Sequence, residues 1–271
     1  MLKILGCRGT NSVYGKGFNK YGSYTSSLIS VHNDTAILLD MGTGVQSLSS
    51  EEINNIREYN IFFSHIHWDH LIGILGFKPI FHNNVKLNFY LSKNYNFSTL
   101  KEFLGNIYKP PFFPVSVEVF KAKLSFNILE ERKKYTFNDS ELTYIDGNHP
   151  NTSKIYKLNI NGITYIYATD YEHSPSSDEE LIAFAKGADF LIYDTTYLPE
   201  DYEGKMDGVS KRGWGHSTYV KGCEIAKKAN VKNFVLFHHN PEYDDNTLEK
   251  MYLMSLKSCP NSIIAKDSMI I

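Results

Sequence analysis

A cluster of histidines directly after a predicted strand is the feature that most constrains this sequence. Residues 59–63 form a short aromatic and β-branched run typical of a strand, and His65, His67, Asp69 and His70 follow it at once. Side-chain direction has a period of two in an extended chain, so His65 and His67 point the same way, whereas Asp69 and His70 lie where a helix begins. One turn therefore offers ligands in two directions, which suits two metal ions sharing a site. A polar turn with merely hydrogen-bonded histidines is the poorer interpretation.

Two metal ions need further ligands, and candidates occur in loops at the ends of other predicted strands. His149 follows the strand predicted at residues 141–145, and Asp170 follows the one at 163–168. His238 ends the strand predicted at 231–237, with His239 as an adjacent alternative. Functional side chains are commonly displayed in such loops. Each residue alone is compatible with an ordinary capped or surface position, but the set together favours a metal site.

The remaining pattern predicts an α/β protein of packed sheets with outer helices in a single domain over residues 1–271. Other strands are predicted at residues 2–5, 28–31, 35–39, 85–91, 154–160 and 190–193. Helical spacing predicts helices at 98–107, 179–185, 217–229 and 247–256, with Ser217 as the N-cap of the third. Three prolines within residues 106–114 predict a surface loop.

Composition excludes several classes of protein. The formal net charge of −2 and the isoelectric point near 6.6 argue against a protein that coats nucleic acid, because such proteins carry a basic surplus. The three cysteines are far apart, which makes a disulfide framework improbable and favours a reducing compartment. The sequence shows no run approaching the roughly 20 apolar residues of a membrane span. We therefore expect a cytoplasmic protein that does not enter a membrane.

The order of candidate ligands resembles the metallo-β-lactamase superfamily, whose hallmark is H-x-H-x-D-H followed by a histidine, an aspartate and a histidine. Residues 38–44 (LLDMGTG) also resemble the D-x-G-x-G turn of that family. The resemblance covers most of the chain and is weakest at residues 77–140. It implies a four-layer αββα sandwich with a metal site along one sheet edge. It also implies that two divalent ions are bound, the first by His65, His67 and His149 and the second by Asp69, His70 and His238, with Asp170 bridging both.

A second motif resembles one branch of that superfamily, ribonuclease Z and the related small-molecule phosphodiesterases. Residues 213–218 (GWGHST) contain His216, which in that branch pairs with an acidic residue at the end of an earlier strand. The matching acid here is Asp194; an ordinary residue at a helix N-terminus is the alternative for His216. Common bacterial ribonuclease Z carries a long tRNA-gripping arm between the positions of His149 and Asp170, and about twenty residues leave no room for it.

The resemblance thus predicts a dinuclear metal-dependent hydrolase that cleaves a small phosphodiester, such as a cyclic nucleotide, a phosphoribosyl cyclic phosphate or a choline-type diester. A metal-bridging hydroxide attacks phosphorus and Asp69 orients it, while His216, held by Asp194, either donates a hydrogen bond to a phosphoryl oxygen or protonates the leaving alkoxide. Trp68, Trp214 and Arg212 are candidate substrate contacts, although large aromatic side chains more often lie in the core.

Several alternatives stay open on the same scaffold. A ribonuclease Z-like RNA endonuclease and a di-iron redox or sensor protein share the motif, although extended nucleic acid is an unexpected partner at this charge. Histidine and carboxylate ligands suit zinc, manganese and iron alike. A β-lactam or thioester hydrolase needs no Asp194–His216 pair. Residues 108–113 are candidates for a wall or lid of the substrate pocket. The resemblance also suggests a homodimer.

Overall fold

The structure is a computed structural model that describes residues 1–93, 95, 100–131 and 133–271. Its first sheet has seven strands in the order β14-β1-β2-β3-β4-β5-β6. The bounds of these strands are Lys3–Gly6 (β1), Ser27–His32 (β2), Thr35–Leu39 (β3), Glu58–Phe62 (β4), Lys86–Leu91 (β5), Lys123–Ile128 (β6) and Met269–Ile270 (β14).

The second sheet also has seven strands, in the order β13-β12-β11-β10-β9-β8-β7. Their bounds are Tyr135–Phe137 (β7), Ser140–Gly147 (β8), Ser153–Ile160 (β9), Ile163–Ala168 (β10), Phe190–Asp194 (β11), Asn233–Phe237 (β12) and Ser262–Ile264 (β13). Asn161 and Gly162 join β9 to β10 and both have positive φ, as the two-residue hairpin turn requires.

The helices cover the outer faces of both sheets. Their bounds are Ser50–Asn55 (α1), Trp68–Leu71 (α2), Leu100–Ile107 (α3), Pro175–Ala185 (α4), Pro199–Tyr202 (α5), Tyr219–Lys228 (α6) and Asp245–Ser258 (α7). One core cluster joins the first sheet to α1 and α3, and a second joins the other sheet to α4, α6 and α7. A third cluster contains side chains of both sheets, so the sheets pack face to face. The predicted αββα sandwich is confirmed, and the single domain over residues 1–271 stays a prediction.

The predicted strands and helices are observed with shifts of a few residues at their ends. The predicted helix 98–107 begins at Leu100 among the described residues, and residues 98 and 99 lie outside them. Pro175 starts α4 four residues before the predicted position. Ser217 is not the N-cap of α6: Thr218 is, because its side chain accepts a hydrogen bond from the Lys221 N–H. The helix start predicted at Asp69 and His70 is observed as α2. Sequence patterns missed α1, α5 and the strands β6, β7, β13 and β14, which are short or lie near sheet edges.

Strand direction places the candidate ligands at one edge of the sandwich. In the second sheet β10, β11 and β12 are parallel, and β8 runs in the same direction because β9 is antiparallel to both β8 and β10. In the first sheet β3 and β4 are parallel. Functional groups of α/β sheets gather at the carboxyl ends of such strands. The loops after β3, β4, β8, β10, β11 and β12 therefore build one site.

Candidate active site

Two groups of potential metal ligands that share Asp170 lie at this edge, and a third group, Asp194, His216 and His238, adjoins them. The ligand atoms of the first group lie within 4.8 Å of one another, as do those of the second. Asp170 Oδ1 is 3.6 Å from His65 Nε2, and Asp170 Oδ2 is 3.0 Å from His70 Nε2. The structure thus brings together the residues that the family resemblance implies as ligands, and their binding of metal stays a prediction. The first group is His65, His67, His149 and Asp170, and the second is Asp69, His70, Asp170 and His238.

The chemistry of these side chains fits divalent cations. Nε2 of His65 and Nε2 of His70 are buried and have no hydrogen-bond partner, although both face carboxylates. Burial lowers the pKa of His65 well below its usual value, which keeps the imidazole neutral and able to bind metal. Burial opposes ionisation of Asp170, but His238, His70 and His65 outweigh it and hold the pKa of the carboxyl well below its usual range. His70 differs, because Asp170, Asp69 and Asp40 outweigh the effect of burial and raise its pKa well above the usual value, so a metal ion at its Nε2 would displace a proton.

Asp40 supports His70 from behind, and sequence reasoning assigned it no role. Its Oδ2 accepts hydrogen bonds from His70 Nδ1 and from the Tyr167 hydroxyl, each at 2.8 Å. Its Oδ1 accepts from the Ser64 N–H at 2.7 Å, and Oδ2 also accepts from the Ser64 hydroxyl at 2.8 Å. A bond at Nδ1 leaves the Nε2 lone pair of His70 free for a metal. The LLDMGTG motif was the only signal for this residue.

Two glycines allow loops to approach the ligand histidines closely. A Cβ on Gly215 would lie 2.0 Å from His149 Nδ1, whose ring donates to the Gly215 carbonyl at 2.9 Å. A Cβ on Gly9 would lie 2.3 Å from Cε1 of His238. A larger residue at either position would therefore displace an imidazole of the cluster.

The structure separates the two adjacent histidines after β12. His238 Nε2 lies 3.2 Å from Asp69 Oδ2 and 3.2 Å from Asp170 Oδ2, so it faces the cluster. His239 instead donates through Nε2 to the Ala265 carbonyl at 2.9 Å and is fully buried elsewhere. His238 is therefore the one of the two that lies in the second ligand group.

The sequence-predicted pair of Asp194 and His216 is present beside both groups. His216 Nδ1 lies 2.8 Å from Asp194 Oδ2, and its ring stacks on that of His238 with centroids 4.9 Å apart. Asp194 is fully buried and also accepts hydrogen bonds from the N–H and the hydroxyl of Thr196. Burial opposes protonation of His216, but Asp194 outweighs it and raises the pKa of His216 to about 9. The imidazole is therefore held in one orientation, with Nε2 directed away from Asp194.

A cleft of about 580 Å³ opens over this cluster. Trp68 and Trp214 line it, and they are 61% and 51% exposed, which contradicts the expectation that such side chains lie in the core. Arg212 is not among the lining residues and forms an ion pair with Glu203 at 2.6 Å. Its role as a substrate contact stays a prediction without support from these contacts. The cleft is lined by Thr10, Asn11, His67, Trp68, Asp69, Asp170, Tyr197, Trp214 and His216.

Comparison with known proteins decides the family. A family described as "Anti-Pycsar protein Apyc1" matches residues 12–256 of the chain. The chain belongs to this Apyc1 family. Ribonuclease Z of Picrophilus torridus is 23% identical over 91% of this chain and 88% of its own length.

Solved structures agree with this placement of the Apyc1-family chain at the level of the fold. The metallo-β-lactamase fold protein YhfI from Bacillus subtilis superposes with a TM-score of 0.73 over 99% of this chain and 96% of its own, at 17% identity. A diphosphatase from the PhnP family superposes with a TM-score of 0.67 over 99% and 95%, at 15% identity. The Apyc1-family chain is thus a metal-dependent hydrolase of the metallo-β-lactamase superfamily, in the branch of ribonuclease Z and the phosphodiesterases. None of its described helices is long and apolar enough to cross a membrane.

Glu172 is a second residue that sequence reasoning missed in this Apyc1-family chain. Its carboxylate accepts hydrogen bonds from the N–H groups of Gly213 and Gly215, at 2.7 and 2.9 Å. It also accepts from the Tyr202 hydroxyl at 2.7 Å, and its own N–H donates to the Asn148 carbonyl at 2.8 Å. Glu172 therefore ties the loop that carries Trp214 and His216 to the loop that carries His149. Its position two residues after Asp170 was the only feature of the sequence that pointed to Glu172, and this signal is weak.

Proposed function

We propose that this protein is a dinuclear metal-dependent phosphodiesterase that hydrolyses a small phosphodiester. The observation that carries the proposal is the Asp194–His216 pair beside two ligand groups that share Asp170. Hydrolysis of a β-lactam or thioester does not need such a pair. Phosphodiester hydrolysis does need a proton donor, because the departing alkoxide is a strong base.

In this proposal His65, His67 and His149 hold one divalent ion, and Asp69, His70 and His238 hold the other, with Asp170 bound to both. Zinc, manganese and iron all accept this mixture of imidazole and carboxylate. When bound, the ions lower the pKa of water and neutralise charge on the phosphoryl oxygens. Asp40 and Gly215 orient His70 and His149 through the hydrogen bonds at their Nδ1 atoms.

The protein's own groups move the protons. Asp69 lies in the cleft, where Oδ2 accepts the Thr10 N–H at 2.8 Å, and we assign it to orienting the attacking water. His216 gives its Nε2 proton to the leaving alkoxide while Nδ1 keeps its bond to Asp194. Asp194 is a positioning residue that also stabilises the charged imidazole before transfer, in the manner of the aspartate of a catalytic triad.

The size of the cleft and the short connection between His149 and Asp170 favour a small substrate over extended RNA. The cleft of about 580 Å³ lies within the range of small-molecule sites, roughly 300–1,000 Å³. Between His149 and Asp170 the chain forms only the tight β9–β10 hairpin. Trp68 and Trp214 at the cleft would stack on a base or contact a quaternary ammonium. Candidate substrates are a cyclic nucleotide, a phosphoribosyl cyclic phosphate and a choline-type diester.

A ribonuclease Z-like RNA endonuclease is the second candidate, because the curated relative reported above bears that name. A di-iron redox or sensor protein is a third. Cleavage of a precursor tRNA by the purified protein would favour the RNA endonuclease. A tightly bound pair of iron ions without any hydrolysis would favour the redox or sensor protein.

The test is hydrolysis of bis(p-nitrophenyl) phosphate by metal-free protein to which manganese or zinc is returned. We expect metal-restored activity on this diester, whose p-nitrophenolate leaves without a proton donor, and on a cyclic nucleotide, whose leaving group is an alkoxide. On the cyclic nucleotide, activity should fall about 10²–10⁴-fold in His216→Ala, the usual contribution of a general acid, with two metal ions still bound. His32→Ala is the matched control, since His32 lies on β2 and outside both ligand groups. Activity on a β-lactam alone, or equal activity of His216→Ala and wild type on the cyclic nucleotide, would refute the proposal.

A further inference from the structure

A second cavity opens beside the catalytic cleft. It has a volume of about 370 Å³, again within the range of small-molecule sites, roughly 300–1,000 Å³. Its wall comes from α2 and the turn after it, from the end of α3 and from the proline-containing loop that follows. The apolar lining residues are Trp68, Ile72, Leu75, Ile107, Phe112 and Phe113.

The chemistry of this wall differs sharply from that of the cleft. No lining residue carries a charge, and the one polar side chain, Asn106, accepts a hydrogen bond from the Lys109 ammonium at 3.2 Å. Phe112 is 78% exposed and Ile72 is 38% exposed. Exposed apolar side chains gathered around a cavity are typical of a surface that binds a ligand. A charged or heavily hydroxylated group would lose hydration here without gaining hydrogen bonds, so this cavity disfavours the choline and phosphoribosyl substituents among the candidate substrates.

Trp68 connects the two cavities, because it lines both of them. Its backbone neighbours in the chain, His67 and Asp69, belong to the candidate ligand groups. The two cavities are therefore neighbours separated by the Trp68 side chain. Because a diester carries a second ester substituent beside its phosphoryl group, we take the substrate itself as the occupant of the neighbouring cavity.

We propose that this cavity is a subsite for an uncharged aryl ester group of the substrate, and that it contributes to substrate selection. The inference rests on the phosphodiesterase proposal. The cleft, which contains the candidate metal ligands, holds the phosphoryl group, and the apolar cavity removes the aryl group from water. Ile72 and Phe112 line the apolar cavity alone, so they act on the aryl group and not on the phosphoryl group.

The test measures binding, by isothermal titration calorimetry of manganese-loaded protein with methylphosphonate and benzylphosphonate. The two probes carry the same anionic head and differ only in an aryl ring, and their carbon–phosphorus bonds resist hydrolysis. We expect benzylphosphonate to bind about tenfold more tightly, in line with the discrimination of apolar pockets. Ile72→Ser and Phe112→Ala should each remove most of this preference and leave the affinity for methylphosphonate unchanged.

The control variant is Leu253→Ala, which truncates a 51% exposed side chain on α7 and should keep the full preference. Equal affinities of the wild type for the two probes, no binding of either probe, or a preference that survives both substitutions would overturn the subsite. Failure of the phosphodiesterase proposal looks different. In that case the aryl preference and its loss in the variants are observed, but no diester is hydrolysed.

Discussion

Asp40→Asn tests whether a buried carboxylate behind His70 controls binding of the second metal ion. The substitution keeps the size of the side chain, and asparagine tolerates the left-handed backbone as well as aspartate does, so the φ of +60° at this position introduces no new strain. What changes is the hydrogen bonding. The carboxylate accepts from Ser64, His70 and Tyr167, whereas an amide has one acceptor oxygen and a donor group.

The consequence follows from the tautomer of His70. If the amide oxygen keeps the bond from the Ser64 N–H, the NH₂ group faces His70 Nδ1. The ring then accepts at Nδ1 and carries its proton on Nε2, the atom that faces Asp170. A protonated Nε2 cannot bind metal. We expect the affinity of the second ion to fall by about 10–100-fold, the usual effect of losing a partner of a ligand histidine, which is about 1.4–2.8 kcal/mol.

Competition with a chromogenic zinc chelator measures both affinities. The ion held by His65, His67 and His149 should bind as in wild type, and only the second should weaken. Tyr167→Phe removes one hydrogen bond to the same carboxylate but leaves its charge, so it should lower stability by about 1 kcal/mol and change zinc affinity little. Asp34→Asn, at an exposed hairpin position, is the neutral control. Two unchanged zinc affinities in Asp40→Asn would refute the reasoning.

Three further predictions concern other parts of the molecule. Glu172→Gln removes one of the three hydrogen bonds that Glu172 accepts from Gly213, Gly215 and Tyr202, so kcat should fall about tenfold with both metals bound. The exposed control Glu179→Gln should keep the wild-type kcat, and equal kcat values for the two variants would contradict this prediction. In metal-free protein, NMR should place the pKa of His216 near 9 and lower in Asp194→Asn. Because the pKa is raised in the folded state, the Asp194–His216 pair adds to the free energy of unfolding fully below about pH 6.5, and this contribution is lost as the pH rises through about 9. Urea unfolding at both pH values measures the difference. Burial raises the pKa of the Cys223 thiol to about 12, and all three cysteine thiols are buried. Ellman's reagent at pH 8 should therefore label no cysteine until the protein unfolds, and fast labelling of the native protein would contradict this burial.

The sequence and its family resemblance indicated the candidate ligands but not the residues that orient them. His65, His67, Asp69 and His70 are close in the chain, so a local pattern exposed them. Asp40 is different, because its importance lies in contacts with residues 24 and more positions away. No spacing in one sequence reveals that such loops meet. The same reason explains why the resemblance supplied Asp194 for His216, whereas nothing supplied Glu172.

Backbone conformation explains how ligands from separate strands converge on one point. Asp40, Asp170 and His238 each lie near the end of a strand, and their φ angles are +60°, +50° and +59°. A left-handed residue breaks the alternation of the strand and turns its side chain into the cluster, at a cost of order 1–3 kcal/mol for each residue. Period-two reasoning therefore pairs His65 with His67 correctly but cannot orient Asp170 or His238. Hydrogen bonds hold these residues in place, such as those from Ser64 to Asp40 and from Thr196 to His238, so long-range contacts and not the local sequence pattern set the direction of these side chains.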